Sequence, residues 1–247
     1  MTPVLAFDIE TVPDVAGIRK LFELPADLAD AEVAEVAFQK RRVASGNDFL
    51  QPHLQRVVVI SCVLRDDEGV RVFSVGEPET GEKETIQRFF EGINKYVPQI
   101  VSWNGRGFDL PVLVSRGMIH GVAAESFWKN NYTNRFQDRH IDVMDVLSLY
   151  GFRGASLDDM AQLSGFPGKI GVGGSEVWPA FQRGELRELR DYCEADVANT
   201  YLLYLRFQMM RCVFTPQRYA EECALLRVQL EKRPEPHWQK FVSLWKA

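Results

Sequence analysis

Two acidic residues near the amino terminus are separated by a single residue. Asp8 and Glu10 belong to the run Phe7-Asp8-Ile9-Glu10-Thr11, at the end of an apolar stretch. Because successive side chains of a strand alternate between its faces, both carboxylates point the same way. They would repel each other unless a cation lay between them. The commoner interpretation of a D-x-E pattern by itself is a frayed strand end with solvated acids.

A second candidate patch has the sequence Trp103-Asn104-Gly105-Arg106-Gly107-Phe108-Asp109. It falls at a predicted turn from strand to helix, where its two glycines suit a tight turn or a close approach of the backbone to a ligand. Asp109 would lie in the first turn of the helix. The alternative is a capping role in which Asp109 only satisfies backbone N–H groups.

The third patch lies on a long predicted helix. Tyr192 and Asp196 are four residues apart, so they share one helix face and can serve one site. The apolar residues that follow Asp196 favour a buried acid. In the alternative interpretation, Tyr192 belongs to the core and Asp196 is solvated.

The elements that must position these patches follow an α/β pattern. Residues 3–9 are typical of a buried strand, and residues 57–76 indicate two strands joined by a turn at 67–69. Residues 14–55 look like an insertion with a helix over 27–42. Three antiparallel strands followed by βα units indicate a mixed sheet. Helices are predicted over 82–96, from 109, from 157 with Ser156 as N-cap, over 185–210 and after 216, and strands over 99–103 and 140–143.

Composition narrows the class of protein. The 247 residues suffice for one large domain, and no apolar run approaches the roughly 20 residues that cross a bilayer. The four cysteines lack CxxC spacing, which argues against disulfides or a zinc site and predicts a reducing, cytoplasmic location. The net charge of −5 argues against extensive wrapping of nucleic acid, although two divalent ions held on carboxylates would largely offset it.

Taken together and in order, the patches match the motifs D-x-E, N-x-x-x-F-D and Y-x-x-x-D. The chain therefore resembles the DEDDy 3′→5′ exonucleases, most closely a predicted exonuclease family related to the proofreading domain of B-family DNA polymerases. The resemblance implies an RNase H-like fold, with a five-stranded mixed sheet flanked by helices. It implies an exonuclease domain over residues 1–210, with the insertion at about 14–55, and a helical C-terminal extension over 211–247.

The resemblance also implies a mechanism and a set of roles. Two Mg²⁺ or Mn²⁺ ions would bind, one held by Asp8, Glu10 and Asp196. Asp8 would bridge to the second ion, which Asp109 would hold directly or through water. Tyr192 would orient the attacking water, since a tyrosine with an ordinary pKa of about 10 is a poor base at neutral pH. The substrate would be the 3′ end of single-stranded DNA, and the products nucleoside 5′-monophosphates.

Five further residues are weaker candidates for substrate binding. Trp103 and Phe108 could stack on a base or belong to the core, and Asn104 could bind sugar or phosphate or cap the turn. Lys169 could meet a phosphate, and Thr11 adjoins the first acidic pair. Arg135 is one of several arginines that could line a strand path, and a structural role is expected for Asp142.

Two rival functions remain open. The first is a 3′→5′ exoribonuclease on the same scaffold, and the second is a catalytically inactive RNase H-like module that only binds nucleic acid. The intact set of acids and tyrosine argues against the second. The tail aromatics Trp238, Phe241 and Trp245 could pack back on the domain, or they could contact a protein partner or a second copy.

Overall fold

A computed structural model of the chain describes residues 2–76, 80–151, 154–171 and 173–246. Its centre is a five-stranded sheet with the strand order β3-β2-β1-β4-β5. β1 is antiparallel to β2 and parallel to β4, so the predicted mixed sheet is confirmed. The strands are β1 (Val4–Pro13), β2 (Gln55–Asp66), β3 (Gly69–Val75), β4 (Gln99–Ser102) and β5 (His140–Asp142).

Helices cover both faces of this sheet. Those before β5 are α1 (Val15–Leu21), α2 (Asp30–Ser45), α3 (Glu82–Tyr96), α4 (Asp109–His120) and α5 (Glu125–Lys129). Those after it are α6 (Val143–Leu147), α7 (Leu157–Leu163), α8 (Val177–Gln182), α9 (Leu186–Met210), α10 (Pro216–Glu231) and α11 (Pro236–Leu244). Short 3-10 turns lie at Pro52–Leu54 and Gly174–Glu176. Among the described helices, none is long and apolar enough to cross a membrane.

The two faces of β1 pack against different helices. Leu5, Phe7 and Ile9 belong to a buried cluster that includes residues of α3 and α4. Ala6, on the opposite face, belongs to a second cluster that includes residues of α9. Because side chains alternate along a strand, Asp8 and Glu10 share the face of Ala6 and point towards α9. The packing of β1 therefore determines that α9 lies over the face of the strand that carries the two carboxylates.

The inserted segment differs from its predicted helix. Instead of one helix over 27–42, it holds α1 and the later-starting α2. The side chain of Glu32 accepts a hydrogen bond from the backbone of Ala29 at 2.9 Å, which fixes the start of α2. The buried Arg116 of α4 contacts both ends of the insertion, with distances of 2.6 Å to the Asp14 carboxylate and 2.9 Å to the His53 carbonyl.

The carboxyl-terminal helices pack against the rest of the chain. Trp238, Phe241 and Trp245 are buried in the cluster that contains residues of α9 and α10. The ring of the buried His237 lies between two acids of α9, 3.1 Å from Glu194 and 3.3 Å from Asp191. The aromatic side chains that could have contacted a partner are thus covered by their own chain.

Candidate active site

The first two acids lie where β1 extends past its parallel neighbour. β1 pairs with β4 only from Val4 to Ala6, so Asp8 and Glu10 lie beyond the end of that pairing. Pairing with β2 continues but shifts register between Glu10 and Thr11, which marks a β-bulge. Bulges alter the direction of nearby side chains and are frequent beside active sites. The two carboxylates therefore lie on the part of β1 that extends beyond its pairing with β4.

The third acid enters from the turn after β4. Asp109 begins α4, is buried, and accepts a hydrogen bond from the backbone N–H of Ile9, which ties the turn to β1. A Cβ added at Gly105 would come within 2.3 Å of the Ser102 hydroxyl, and one at Gly107 within 2.5 Å of the Asn104 side chain. Gly105 is required for the close packing of this turn, because an added Cβ would also lie 2.5 Å from Cβ of Ser102, whereas at Gly107 the Asn104 side chain would have to move.

A neighbouring acid holds the same turn in place. The carboxylate of the buried Asp142 accepts hydrogen bonds from the backbone N–H groups of Asn104 and Arg106, each at 2.9 Å. It also accepts one from Asp145 at 3.2 Å and so caps α6. Asn104 has a positive φ of 62°, a conformation that these bonds help to stabilise. Asp142 has the structural role that the sequence indicated.

The helix α9 supplies the remaining groups. The Tyr192 hydroxyl donates a hydrogen bond to the Asp196 carboxylate, one turn along the helix. Cys193 lies beside them, with its Sγ 3.5 Å from the Asp8 carbonyl oxygen and 3.6 Å from its Oδ2. Cys193 was not among the predicted site residues, because the spacing of the cysteines argued only against disulfides and a zinc site. Its i, i+3 spacing from Asp196 was the available signal.

Mutual repulsion and burial act on all the acids. Burial, followed by the charges of neighbouring carboxylates, raises the pKa of Asp8 and of Glu10 well above their ordinary values. Burial raises the pKa of Asp109 to about 7 and that of Asp196 to about 6. Each shift means that the ionised form is unfavourable at this position without a compensating positive charge.

A divalent metal ion fits this donor set. All four groups offer carboxylate oxygens, which hard ions such as Mg²⁺ and Mn²⁺ prefer. Oδ1 of Asp196 is buried and has no hydrogen-bond partner among the described residues, so it remains free to bind a cation. The thiol of Cys193 lies beside Asp8 and Glu10, where burial and then the charges of these two acids raise its pKa well above the ordinary value. Mg²⁺ and Mn²⁺ favour the carboxylate oxygens over this sulfur.

One lysine faces this cluster. Nζ of the exposed Lys169 lies 5.6 Å from the centre of the Tyr192 ring, and its charge lowers the pKa of both Glu10 and Asp196. Its backbone N–H donates to the Asp158 carboxylate at 2.8 Å, and the amide side chain of Asn199 holds the carbonyl of the preceding residue, also at 2.8 Å. Lys169 is therefore positioned by its backbone, and its exposed side chain lies over the Tyr192 ring.

Two cavities adjoin the acids. The acid cavity, of about 440 Å³, is lined by Asp8, Trp103, Asn104, Met144, Gly154, Ala155, Ser156, Leu157, Lys169 and Asp196. The phenylalanine cavity, of about 510 Å³, has walls that include Glu10, Thr11, Phe38, Phe49, Phe108 and Trp178. The five weaker candidates divide between them: Trp103, Asn104 and Lys169 line the first, and Thr11 and Phe108 line the second. The contributions of Phe49 and Trp178 were not anticipated.

The phenylalanine cavity joins the insertion to the catalytic turn. The rings of Phe49 and Phe108 lie 5.1 Å apart, and the Thr11 hydroxyl donates to the Gln55 side chain at 3.0 Å. Phe108 and Trp103 are both partly buried and pack on core clusters, so neither is wholly free. Each side chain combines a core contact with a surface facing a cavity.

The chain is similar to a family of predicted exonucleases and to catalytic subunits of DNA polymerase epsilon. The family model described as a predicted 3′-5′ exonuclease related to the exonuclease domain of PolB matches residues 47–245. The catalytic subunit of DNA polymerase epsilon from Aspergillus fumigatus is 24% identical over 220 residues, and that from Kluyveromyces lactis is 25% identical over 222 residues. Each match covers 83% of this chain and 9% of the relative, so the chain spans under a tenth of the length of these curated relatives.

A solved structure shows the same fold. The family B DNA polymerase from the hyperthermophilic archaeon Pyrobaculum calidifontis superposes with a TM-score of 0.56 at 19% identity, over 85% of this chain and 25% of that one. The RNase H-like fold expected from the sequence is confirmed. The family match also runs through α10 and α11 and begins between α2 and β2.

We expect Asp196→Asn to stabilise the metal-free protein at pH 8 by about 1–3 kcal/mol. The pKa of Asp196, raised to about 6, exceeds its ordinary value of 3.8, so the charged carboxylate destabilises the fold above pH 6. This penalty disappears as the pH falls through 6 towards 4, so the advantage of the variant should shrink in the same window. Thermal unfolding in chelator at pH 8 and pH 5 measures the difference. A variant less stable than the parent at pH 8 would contradict this account.

Proposed function

The chain belongs to the family of predicted 3′-5′ exonucleases related to the exonuclease domain of PolB, and from that membership we propose that it hydrolyses phosphodiester bonds at the 3′ ends of single-stranded DNA. The released products would be nucleoside 5′-monophosphates. The observation that carries this proposal is the convergence of four carboxylates from β1, α4 and α9 on one edge of the sheet.

We assign these carboxylates to two divalent ions, Mg²⁺ or Mn²⁺. Asp8, Glu10 and Asp196 would hold one ion, and Asp8 with Asp109 would hold the other. Bound there, the ions would acidify water and neutralise the charge that develops on the phosphoryl and leaving oxygens. The raised pKa of each acid and the unpartnered oxygen of Asp196 support this assignment.

Tyr192 is proposed to position the attacking water rather than to remove its proton. Burial and then the charge of Asp196 raise the pKa of Tyr192 far above its ordinary value, so the hydroxyl keeps its proton. It can therefore donate one hydrogen bond, as it does to Asp196, and accept another. This combination orients a water molecule without acting as a base.

The two cavities supply the remainder of the substrate site in this proposal. The terminal nucleotide would enter the phenylalanine cavity beside Glu10, and the chain preceding it would cross the acid cavity under Lys169. Aromatic walls and backbone turns contact base faces and phosphates that all nucleotides share, which predicts little sequence preference. Because the net charge is −5, the protein should bind the strand briefly, and salt should weaken this binding. Digestion should therefore be distributive.

Two further parts of the proposal concern cellular context. The four cysteines are free thiols, which supports action in the reducing cytoplasm. Removal of nucleotides from 3′ ends supports a role in DNA repair. The acid cluster also supports an active enzyme over an inactive binding module, because a module that only binds has no need of mutually repulsive buried acids.

We expect Asp8→Asn to lower kcat for digestion of 5′-labelled single-stranded DNA in Mg²⁺ or Mn²⁺ by roughly a thousandfold or more. The variant keeps the size of the side chain but loses a charged metal ligand. Thermal unfolding of the variant serves as the folding control. Full activity of the folded variant would sink the assignment, and faster digestion of matched RNA by the parent would make the enzyme an exoribonuclease.

We expect Tyr192→Phe to lower kcat by about ten- to a hundredfold while the Mn²⁺ affinity stays unchanged. The substitution removes the hydroxyl that would position water and leaves all four carboxylates. Steady-state digestion of single-stranded DNA, together with a Mn²⁺ titration of the same variant, separates the two effects. Weakened Mn²⁺ binding with normal kcat would show that Tyr192 serves the metal site instead.

A further inference from the structure

A third cavity continues the acid cavity away from the acids. This arginine cavity, of about 420 Å³, is lined by Asn104, Arg106, Gly107, Thr133, Arg135, Asp142, Met144, Asp145 and Gly151. It shares Asn104 and Met144 with the acid cavity, so the two adjoin along the catalytic turn. A strand that crosses the acid cavity and continues past Asn104 and Met144 therefore enters this space.

Two aromatic side chains stand at the rim of the arginine cavity. Phe136 is 84% exposed and Tyr150 is 43% exposed, and their ring centres lie 6.2 Å apart at an angle of 60°. Each is adjacent in sequence to a residue that lines the cavity, Arg135 or Gly151. Single exposed apolar residues are ordinary on a protein surface, but a neighbouring aromatic pair beside a polar cavity is typical of a binding surface.

The rim is held rigidly by Arg135. Its Nε donates to the Asp145 carboxylate at 2.9 Å, a terminal nitrogen donates to the Tyr150 carbonyl at 3.2 Å, and its guanidinium lies 5.0 Å from the Tyr150 ring. Tyr150 also donates its backbone N–H to the Asp145 carbonyl at 2.8 Å. These contacts join the segment after α5 to the segment after α6, so Tyr150 is held in place before any ligand binds.

The backbone that displays Tyr150 is strained. Leu149 and Tyr150 have φ angles of 52° and 63°, in the left-handed region that bulky residues rarely adopt. Such strain costs of order 1–3 kcal/mol per residue and concentrates at binding and catalytic sites. Here it turns the Tyr150 ring towards Phe136 and leaves Leu149 85% exposed beside it.

The charges of the cavity select the ligand chemistry. Among the described lining residues, the two arginines Arg106 and Arg135 balance the two aspartates Asp142 and Asp145, and Arg135 is paired directly with Asp145, so this part of the lining is formally neutral. A neutral lining attracts phosphates weakly, whereas exposed aromatic rings bind the faces of nucleobases whatever their sequence. The cavity and its rim therefore suit the bases of a single strand better than its phosphates.

We propose that Phe136 and Tyr150 form a stacking platform for nucleobases upstream of the scissile phosphate. The proposal rests on the proposed function, since the phenylalanine cavity takes the terminal nucleotide and the acid cavity the next one. The platform then receives the base that follows, third from the 3′ end. It adds affinity for strands of three or more nucleotides and takes no part in the chemistry.

Two substrates of different length test the platform. An eight-nucleotide single-stranded DNA reaches it, whereas the p-nitrophenyl ester of thymidine 5′-monophosphate has one base and does not. Phe136→Ser and Tyr150→Ser should each raise KM for the oligonucleotide by roughly five- to a hundredfold, with kcat unchanged and both constants unchanged for the ester. Phe136→Trp, which keeps an aromatic ring at this position, should have the same KM for the oligonucleotide as the parent protein. Trp128→Ser, which removes a ring that is 57% exposed on α5, is the matched control and should leave all constants unaltered.

A binding measurement separates the platform from the proposed nuclease activity. The fluorescence of 2-aminopurine placed third from the 3′ end should be quenched on binding to the parent protein, and Phe136→Ser should abolish the quenching. The platform would be overturned if the variants lost as much activity on the ester as on the oligonucleotide. It would also be overturned if KM and the fluorescence quenching were unchanged in the variants. Absence of cleavage of either substrate by the parent protein would refute the nuclease, while the quenching experiment still decides the platform.

Discussion

Repulsion between carboxylates at the exposed end of β1 is the constraint that the surrounding structure must overcome. Glu10, Asp109 and Asp196 are buried and Asp8 is half-buried, and burial raises the pKa of every one of them. A flexible site would relieve this repulsion by moving the acids apart. Here they are carried by β1, α4 and α9, which the packing on both faces of the sheet holds together.

Uncharged contacts supply much of the restraint around the acids. The backbone of Ile9 binds Asp109, the thiol of Cys193 lies against Asp8, and the hydroxyl of Tyr192 binds Asp196. None of these partners brings a positive charge that would neutralise a carboxylate. Lys169 offsets part of the negative charge on Glu10 and Asp196, but the pKa of every acid stays raised, so a divalent ion would still stabilise the ionised carboxylates.

Sequence patterns predicted the parts of the site that depend on local geometry. Strand alternation placed Asp8 and Glu10 on one face, and helical spacing placed Tyr192 beside Asp196. The positions of Cys193, Phe49 and other cavity walls depend on how distant elements pack, which local periodicity does not encode. The boundaries of α1 and α2 differ from the predicted helix over 27–42 for a related reason. The ends of the insertion are fixed by Arg116, which is distant in sequence.

Diffraction from crystals soaked in Mn²⁺ tests the central claim most directly, because the anomalous signal locates each ion independently of any activity. The account predicts two peaks about 4 Å apart, both contacting Asp8, with Glu10 and Asp196 on one ion and Asp109 on the other. An oligonucleotide with a non-hydrolysable 3′ linkage can be added to complete the site. Saturating Mn²⁺ that left these carboxylates without any peak, or that bound only elsewhere on the protein, would contradict the account.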